Sequence, residues 1–188
     1  MFRKMGLLIC CILLTTFVGG ASSNAMYYIK PPIVYPHLVS SNFKKEIFCL
    51  ALNMYHEARD QGTAGLIAVS AVVLNRVNDK RFPNTICEVI KQGPIRASWK
   101  GNGTFFPIKN KCQFSWWCDG KSDKPKNKKT FDYMIAAAKQ ILTRQIDVID
   151  ITDGATFYHA DHITPSWAKS KQRTIEIEDH IFYRWKIK

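Results

Sequence analysis

Acidic residues are scarce in this 188-residue sequence, which has 15 Asp and Glu against 27 Lys and Arg and a formal net charge of +12. Such an imbalance favours a polyanionic partner: nucleic acid, an anionic membrane or an anionic cell wall. A merely soluble basic surface is the alternative. The basic run at residues 121–129, KSDKPKNKK, lacks aromatic residues. Because unpaired bases bind by stacking on aromatic rings, this run indicates a solvated loop, and no nucleic-acid partner is expected.

The sequence also lacks the second histidine of a zinc-protease motif. His56 and Glu57 form half of H-E-x-x-H, but position 60 is Asp60. Two imidazoles must project from the same helix face to close on one ion. An Asp60 ligand is chemically possible, but spacing favours an ordinary polar helix end, so we expect no metal and no cofactor. The remaining histidines do not restore the spacing: His37, His159, His162 and His180.

The N-terminal apolar run, residues 6–18, is about 13 residues long and too short to span a bilayer comfortably. Arg3 and Lys4 precede it and small residues follow it, which is the pattern of a signal peptide. We expect residues 1–25 to be a signal peptide that directs export to the periplasm or the cell wall. Membrane contact is then transient and limited to this segment, and an uncleaved weak anchor is the alternative. Residues 26–43 are expected to form an extended lead-in.

Export changes the expectation for the cysteines. Four follow the signal segment, and an even number in an oxidising compartment indicates disulfides. Cys112 and Cys118 close a short loop around QFSWW, and pairing of Cys49 with Cys87 follows by elimination. Chain-entropy estimates give about 2 kcal/mol for the short loop and about 4 kcal/mol for the long one. A zinc site of four thiolates is the alternative, although C-x5-C is poor zinc spacing.

Apolar residues recur at helical spacing over residues 44–59, 63–77 and 128–145. The second segment is apolar on most sides, so we expect it to be mostly buried. Near the C-terminus, Ile175 and Ile177 alternate with glutamates, which indicates a strand. Without an internal repeat, these patterns predict one mostly helical α+β domain with a small C-terminal β element.

Two stretches lie between the second and the last of these helices. TICE, residues 85–88, resembles a capping box in which Thr85 is the cap and Glu88 reaches back, and it predicts a short helix ending near residues 93–94. Residues 94–127 are rich in Gly, Pro, Asn and Lys and too long for a plain connector. Loops of this kind usually bind something.

Glu57 shares a face of the first predicted helix with Leu50, Asn53 and Met54. Apolar neighbours disfavour the charged form of a carboxyl, so the pKa of Glu57 is expected to rise. A raised pKa is what a general acid needs near neutral pH. Without further context, a solvated glutamate paired with Arg59 or a lysine is the more common arrangement.

Five blocks occur in order along residues 44–185: CLALNMYHEAR, GLIAVSAVVLNRV, FPNTICEVIKQ, CQFSWWCDG and GATFYHADHITPSWA. Together they resemble the SleB-type cell-wall hydrolases, the family of the spore cortex-lytic enzymes. The resemblance implies a lysozyme-like catalytic domain at residues 44–188. It also implies cleavage of peptidoglycan between N-acetylmuramic acid and N-acetylglucosamine, as in a lytic transglycosylase, with Glu57 at the position of the family's single catalytic glutamate.

The resemblance also implies where the substrate binds. Gln113, Phe114 and Ser115 match the segment that lines the family's glycan groove. The FYHA block, with Tyr158 and His159, matches the aromatic wall opposite. From the residues alone, a half-buried aromatic is the alternative for Tyr158, whose phenol is otherwise suited to orienting groups or stabilising charge near a developing oxocarbenium ion.

Glycosidases ordinarily use two carboxylates, whereas only Glu57 is well placed in this sequence. The family usually has Gly-Glu after EAR where this chain has Asp60-Gln61, which puts any role of that second glutamate in doubt here. Asp60, about one turn after Glu57, is the candidate second carboxylate. In a transglycosylase the 6-hydroxyl of muramic acid attacks its own anomeric carbon, and a 1,6-anhydro sugar results. The alternatives are a hydrolytic muramidase, an N-acetylmuramoyl-L-alanine amidase and a non-catalytic secreted wall-binding protein.

Three more side chains are candidates for substrate binding. Trp99 and Trp167 are suited to stacking on sugar rings, although a single tryptophan is more often part of a core. The Asn75 amide is suited either to orienting Glu57 or to capping its helix. We expect a monomer that binds peptidoglycan, in wall remodelling by a bacterium or in lysis by a phage endolysin.

Overall fold

The computed structural model describes residues 42–143 and 149–186. The predicted signal peptide, the predicted lead-in up to residue 41 and the end of the last predicted helix beyond residue 143 lie outside these residues. Within the two described stretches, no helix combines the length and apolar character needed to cross a membrane.

Two helices form the buried centre of the fold. α1 spans Phe43–Ala58 and α2 spans Thr63–Val77, which confirms both predicted helices to within one residue. Leu50 and Met54 on α1 are fully buried, and most apolar residues of α2 are buried. This burial explains why α2 is apolar on most sides.

A glutamate from the C-terminal hairpin holds the start of α2. Gly62, the residue before α2, has no side chain to cap the helix, and Glu178 accepts hydrogen bonds from the Gly62 and Gly65 backbone N–H groups at 2.7 and 3.1 Å. A carboxylate at this end also complements the helix dipole. A Cβ on Gly65 would lie 2.7 Å from the Gln61 Cβ and 2.9 Å from a Glu178 oxygen, so any larger residue would displace these neighbours.

A short helix follows the predicted cap. α3 spans Ile86–Ile90, and the Thr85 hydroxyl accepts from the Glu88 backbone N–H. The Glu88 carboxylate accepts from the Thr85 hydroxyl at 2.8 Å rather than reaching the backbone N–H expected in a capping box. The helix ends at Ile90, before the predicted residues 93–94, and the Gln92 carbonyl that follows accepts a hydrogen bond from the Gln113 N–H.

α1 is tied to α3 by a covalent bond and by a buried carboxylate. Cys49 is bonded to Cys87, as predicted. Glu46 is only 3% exposed and accepts from the backbone N–H groups of Ile86 and Cys87 at 2.7 and 3.3 Å. The first turn of α3 therefore has its free N–H groups satisfied by a side chain from α1.

The last helix packs on the outer side of α1. α4 spans Lys128–Thr143, and its Phe131 ring meets Phe48 and Tyr55 of α1 edge-on at 5.6 and 5.9 Å. The Tyr55 hydroxyl accepts from two backbone N–H groups just before α4 at 3.0 Å each. This contact fixes where the basic loop ends and α4 begins.

The long stretch between α3 and α4 contains structure that the sequence did not indicate. β1 (Ile95–Ala97) and β2 (Phe105–Pro107) pair as an antiparallel hairpin. A short 3-10 turn follows at Ser115–Cys118. The second predicted disulfide, Cys112–Cys118, closes the loop around this turn and is confirmed.

Three antiparallel strands complete the fold. β3 (Phe157–Ala160), β4 (Gln172–Ile177) and β5 (His180–Arg184) form a sheet in the order β3-β5-β4. Phe182 is fully buried against Ala68 and Val72 of α2. The predicted strand at Ile175 and Ile177 is confirmed as β4, and the architecture is the predicted mostly helical α+β class.

Glu46→Ala is expected to lower the free energy of unfolding by about 2–4 kcal/mol, because two buried N–H groups lose their acceptor. Glu88→Ala, which removes an exposed carboxylate from the same helix start, is the control and is expected to cost about 1 kcal/mol or less. Urea denaturation measures both. Equal losses for the two variants would contradict the capping role of Glu46.

Candidate active site

Glu57 lies in the last turn of α1, on the side of the helix that faces the core. Leu50, Asn53 and Met54, its neighbours on the same face, are 0% exposed, whereas Glu57 itself is half-buried. Burial raises the pKa of the Glu57 carboxyl above its ordinary value of 4.5. The direction agrees with the sequence-based prediction.

Tyr158 bridges from the sheet to this carboxyl. It lies on β3 and donates its phenol hydrogen to Glu57 Oε2 at 2.8 Å. The bond favours the ionised carboxylate, so it opposes the rise in the pKa of Glu57 that burial causes. Burial and the adjacent Glu57 hold the pKa of Tyr158 well above its ordinary value of 10.0, which keeps the phenol protonated as a donor.

Arg76, near the end of α2, places a buried positive charge beside this pair. It is 4% exposed, and its Nε donates to the Thr156 carbonyl at 2.7 Å. Burial lowers the pKa of Arg76 to about 10, so the side chain remains charged at neutral pH. Its charge opposes the rise in the pKa of Glu57. Three aromatic rings face the guanidinium carbon at 5.1–6.0 Å, those of Phe82, Phe114 and Phe157.

Arg76 was missed from the sequence although a signal existed. It follows Val72 and Val73 at the i+4 and i+3 positions, and both valines are 0% exposed. An arginine on the buried stripe of an apolar helix needs a specific reason to be there. The helical periodicity therefore indicates Arg76 as a site candidate. It was missed because candidates were chosen from motif residues alone.

The QFS segment divides into exposed and buried parts. The Gln113 and Ser115 side chains are exposed, whereas Phe114 between them is 2% exposed. The Phe114 ring lies 6.4 Å from that of Tyr158. Phe114 was expected to line the groove with its neighbours. The structure corrects this, because the ring packs beneath Tyr158 and Arg76 and supports them from the core.

Trp116, which follows Ser115, supports the face of α1 that carries Glu57. Its Nε1 donates to the Asn53 Oδ1 at 3.2 Å, and its ring stacks on His56 at 4.5 Å. Both partners neighbour Glu57 on α1. The disulfide-closed loop is thus attached to the helix turn that carries the carboxyl.

The predicted aromatic wall of β3 is split between the two faces of the sheet. Because neighbouring residues on a strand point to opposite sides, Tyr158 faces Glu57 while His159 faces away. His159 Nε2 lies 3.0 Å from the Tyr183 hydroxyl oxygen, and its ring lies 5.6 Å from Trp167. The expectation that His159 forms part of the groove wall beside Tyr158 is therefore corrected, since His159 packs with Trp167, which in turn contacts Phe157.

Two other candidates lie apart from Glu57. The Asn75 amide donates to Asp150 Oδ2 and to the Ala155 carbonyl, both at 3.0 Å, and so holds the segment that leads into β3. Neither hydrogen bond reaches Glu57, so the Asn75 amide holds the segment before β3 and does not orient Glu57 directly. Trp99 lies in the β1–β2 loop and is 87% exposed.

The two residues at which this chain departs from the family pattern contact other groups. The Asp60 side chain is 88% exposed and lies 3.4 Å from Arg59. The Gln61 amide donates to Asp179 at 2.8 Å and so ties the end of α1 to the β4–β5 turn.

Across residues 42–143 and 149–186, no three His, Cys, Asp or Glu side chains come together as a metal-binding group.

The fold is a mostly helical α+β domain, and its candidate site is the half-buried Glu57 carboxyl between α1 and the small sheet. A model of the family described as Cell Wall Hydrolase matches residues 60–183. This is more than half of the chain, which therefore belongs to the cell wall hydrolase family. Arg76 and Tyr158 lie within the matched segment, and Glu57 lies just before it.

Several relatives are spore cortex-lytic enzymes. That of Bacillus cereus is 28% identical over 170 residues, which are 89% of this chain and 56% of the relative. That of Bacillus subtilis (strain 168) is 28% identical over 138 residues, which are 73% of this chain and 37% of the relative. The chain thus spans about half or less of the length of these two relatives.

Solved structures of two catalytic domains share the fold. That of the Bacillus cereus SleB protein has a TM-score of 0.50 and 26% identity, and the match covers 75% of this chain and 91% of that one. The catalytic domain of the germination-specific lytic transglycosylase SleB from Bacillus anthracis has a TM-score of 0.50 and 27% identity, covering 77% and 96%. The family resemblance seen in the sequence is confirmed.

Glu57→Gln is expected to raise the free energy of unfolding near neutral pH. Because burial raises the pKa of Glu57 above 4.5 in the folded protein, the folded state binds more protons than the unfolded chain from that pH up to the folded value. Stability therefore falls as the pH rises through this window. Glutamine does not titrate, so the variant escapes this loss.

Urea denaturation at about pH 4 and about pH 8 measures the effect. The advantage of Glu57→Gln should be present at the higher pH and absent at the lower one. Asp60→Asn, which removes an exposed carboxylate one turn further along the chain, is the matched control. An advantage of equal size at both pH values would contradict the burial account.

Proposed function

We propose that this chain cleaves the glycan strand of peptidoglycan between N-acetylmuramic acid and N-acetylglucosamine, as a lytic transglycosylase with Glu57 as its catalytic group. The observation that carries the proposal is the half-buried Glu57 carboxyl with its raised pKa, hydrogen-bonded to Tyr158. The names of the relatives support it, since they are spore cortex-lytic enzymes and, for one solved structure, a germination-specific lytic transglycosylase.

In the first step, Glu57 acts as a general acid. Its Oε2 accepts the Tyr158 hydrogen bond, so the transferable proton is carried by Oε1. Transfer to the glycosidic oxygen breaks the bond to the anomeric carbon and leaves an oxocarbenium-like centre. Burial raises the pKa of Glu57 and so favours the protonated carboxyl that this step requires.

In the second step, the same group acts as a base. The ionised Glu57 accepts the proton of the muramic acid 6-hydroxyl as this oxygen attacks the anomeric carbon. The products are a 1,6-anhydro end and a free hydroxyl on the leaving sugar, with no water consumed. A nucleophile tethered to the reacting sugar has a large effective concentration. Asp60, exposed and paired with Arg59, does not share the Glu57–Tyr158 environment.

Arg76 and Tyr158 oppose the preference of Glu57 for its neutral form. Burial alone favours the neutral acid, whereas the Tyr158 hydrogen bond and the Arg76 charge favour the carboxylate. A group that must first give and then take a proton works best when neither state is strongly preferred. Arg76 is therefore assigned as a positioning and charge-setting residue.

The rest of the proposal concerns binding and location. The exposed Gln113 and Ser115 side chains are assigned to hydrogen bonds with the glycan. Residues 44–188 form the catalytic domain, and the net charge of +12 favours an anionic wall as the partner. Export is supported by the signal-like N-terminal sequence and by two disulfides, which form in oxidising compartments.

Glu57→Gln is expected to lower the rate of release of soluble fragments from labelled walls by about 10²–10⁴, the usual cost of losing a general acid. The amide matches the shape of the acid but has no acidic proton to donate. Asp60→Asn is the matched control and should keep activity near that of the unaltered chain. Residual activity of Glu57→Gln within a few-fold of the unaltered chain would move the acid role elsewhere.

Arg76→Gln is expected to move the alkaline limit of activity to higher pH. The positive charge lowers the pKa of Glu57, so its removal raises that pKa, and the protonated acid persists to higher pH. Arg76→Lys keeps the charge and should leave the limit nearly unchanged. The pH profile of kcat/KM measures the effect, and a uniform loss at every pH would indicate that Arg76 acts only in packing.

A further inference from the structure

The β1–β2 hairpin exposes large apolar side chains. Trp99 in the connecting loop is 87% exposed, Ile95 and Phe105 are each 59% exposed, and Phe106 is 46% exposed. Among the described strands, β1 and β2 pair only with each other. Single exposed apolar residues are common, but several on one small hairpin can form a patch of the kind that marks an interaction site.

The same part of the chain is strongly cationic. Between Glu88 and Asp119 the sequence contains five Lys or Arg and no Asp or Glu. The Lys100 ammonium lies 5.5 Å from the centre of the Trp99 ring, so charge and aromatic surface are interleaved. This composition complements an anionic surface. All five cationic residues are exposed: Lys91, Arg96, Lys100, Lys109 and Lys111.

The pairing register gives the hairpin an apolar face. Ile95 pairs with Pro107 and Ala97 pairs with Phe105, and paired residues in an antiparallel ladder project to the same side. Arg96 and its partner Phe106 project to the opposite side. The hairpin thus has one wholly apolar face, with cations on its other face and around its ends.

We propose that this hairpin is a docking surface for an anionic phospholipid bilayer. Carbohydrate sites combine an aromatic platform with polar groups that bond to sugar hydroxyls, whereas this face presents Ile95, Ala97 and Pro107 beside Phe105. An apolar face with a tryptophan at its edge and surrounding Lys and Arg is the pattern of proteins that lie in the bilayer interface.

On the membrane, Trp99 lies at the level of the headgroups, and Ile95 and Phe105 enter the boundary with the acyl chains. Arg96 and Lys100 contact lipid phosphates through long side chains. The chain therefore has a membrane contact in addition to the one that the sequence predicted for residues 1–25. This inference does not rest on the proposed cleavage reaction.

Binding of the full chain to phosphatidylglycerol vesicles tests the charge contribution. Arg96→Gln with Lys100→Gln should weaken binding about 25-fold, since each cation near an anionic surface contributes about fivefold. Lys124→Gln with Lys126→Gln, which removes two exposed cations from the other basic loop, is the matched control and should have a much smaller effect. Equal weakening by the two pairs would overturn the proposal.

Tryptophan quenching by brominated phosphatidylglycerol locates the contact independently of the N-terminal segment, because the chain's five tryptophans, at positions 99, 116, 117, 167 and 185, all lie outside that segment. The full chain should be quenched on binding, and Trp99→Phe should lose most of the quenching. Thermal unfolding shows that the variant is folded. Quenching that persists in Trp99→Phe would assign the contact to another face.

Binding to purified peptidoglycan distinguishes a wall-binding hairpin from a membrane-binding one. If the Arg96 and Lys100 variant loses binding to sacculi while vesicle binding is unchanged, the hairpin is a wall-binding platform and the membrane proposal is wrong. The expected result is the reverse, with vesicle binding reduced and sacculus binding retained.

Discussion

The hydrogen bond between Tyr158 and Glu57 is the contact on which the site depends. It joins the last turn of α1 to the first strand of the C-terminal sheet at 2.8 Å, and it does so at a carboxyl whose ionised form burial disfavours. The Arg76 charge acts on the same group from α2. Groups from α1, α2 and β3 thus set the pKa of one carboxyl. Opposing effects on that pKa make a single glutamate suited to act first as an acid and then as a base.

The rest of the fold holds these three elements in place. The Cys49–Cys87 bond and the Glu46 carboxylate fix α1 to α3. Glu178 fixes the C-terminal hairpin to the start of α2, and Arg76 fixes the end of α2 to the segment before β3 through the Thr156 carbonyl. The sheet is therefore attached to α2 at both ends of the helix, which determines where Tyr158 meets Glu57.

Patterns within one element predicted the local structure well. Periodicity placed α1 and α2, and the apolar neighbours of Glu57 indicated its raised pKa, because both depend on spacing along one helix. Contacts between distant segments were not accessible in this way. The β1–β2 hairpin has short, exposed strands and so no alternation of buried and exposed residues. His159 was placed in the groove wall because it follows Tyr158 in the FYHA block, whereas neighbouring residues of a strand point to opposite faces.

The origin of the oxygen at newly formed glycan ends tests the central claim most directly, namely that Glu57 alone transfers both protons and no water is added. Walls digested in ¹⁸O-labelled water should yield muramic acid ends that contain no ¹⁸O and have the mass of the 1,6-anhydro sugar, as intramolecular attack requires. Reducing ends that carry ¹⁸O would contradict the claim and assign a hydrolytic mechanism with a second group that activates water. Free stem peptides with intact glycan would contradict glycan cleavage itself.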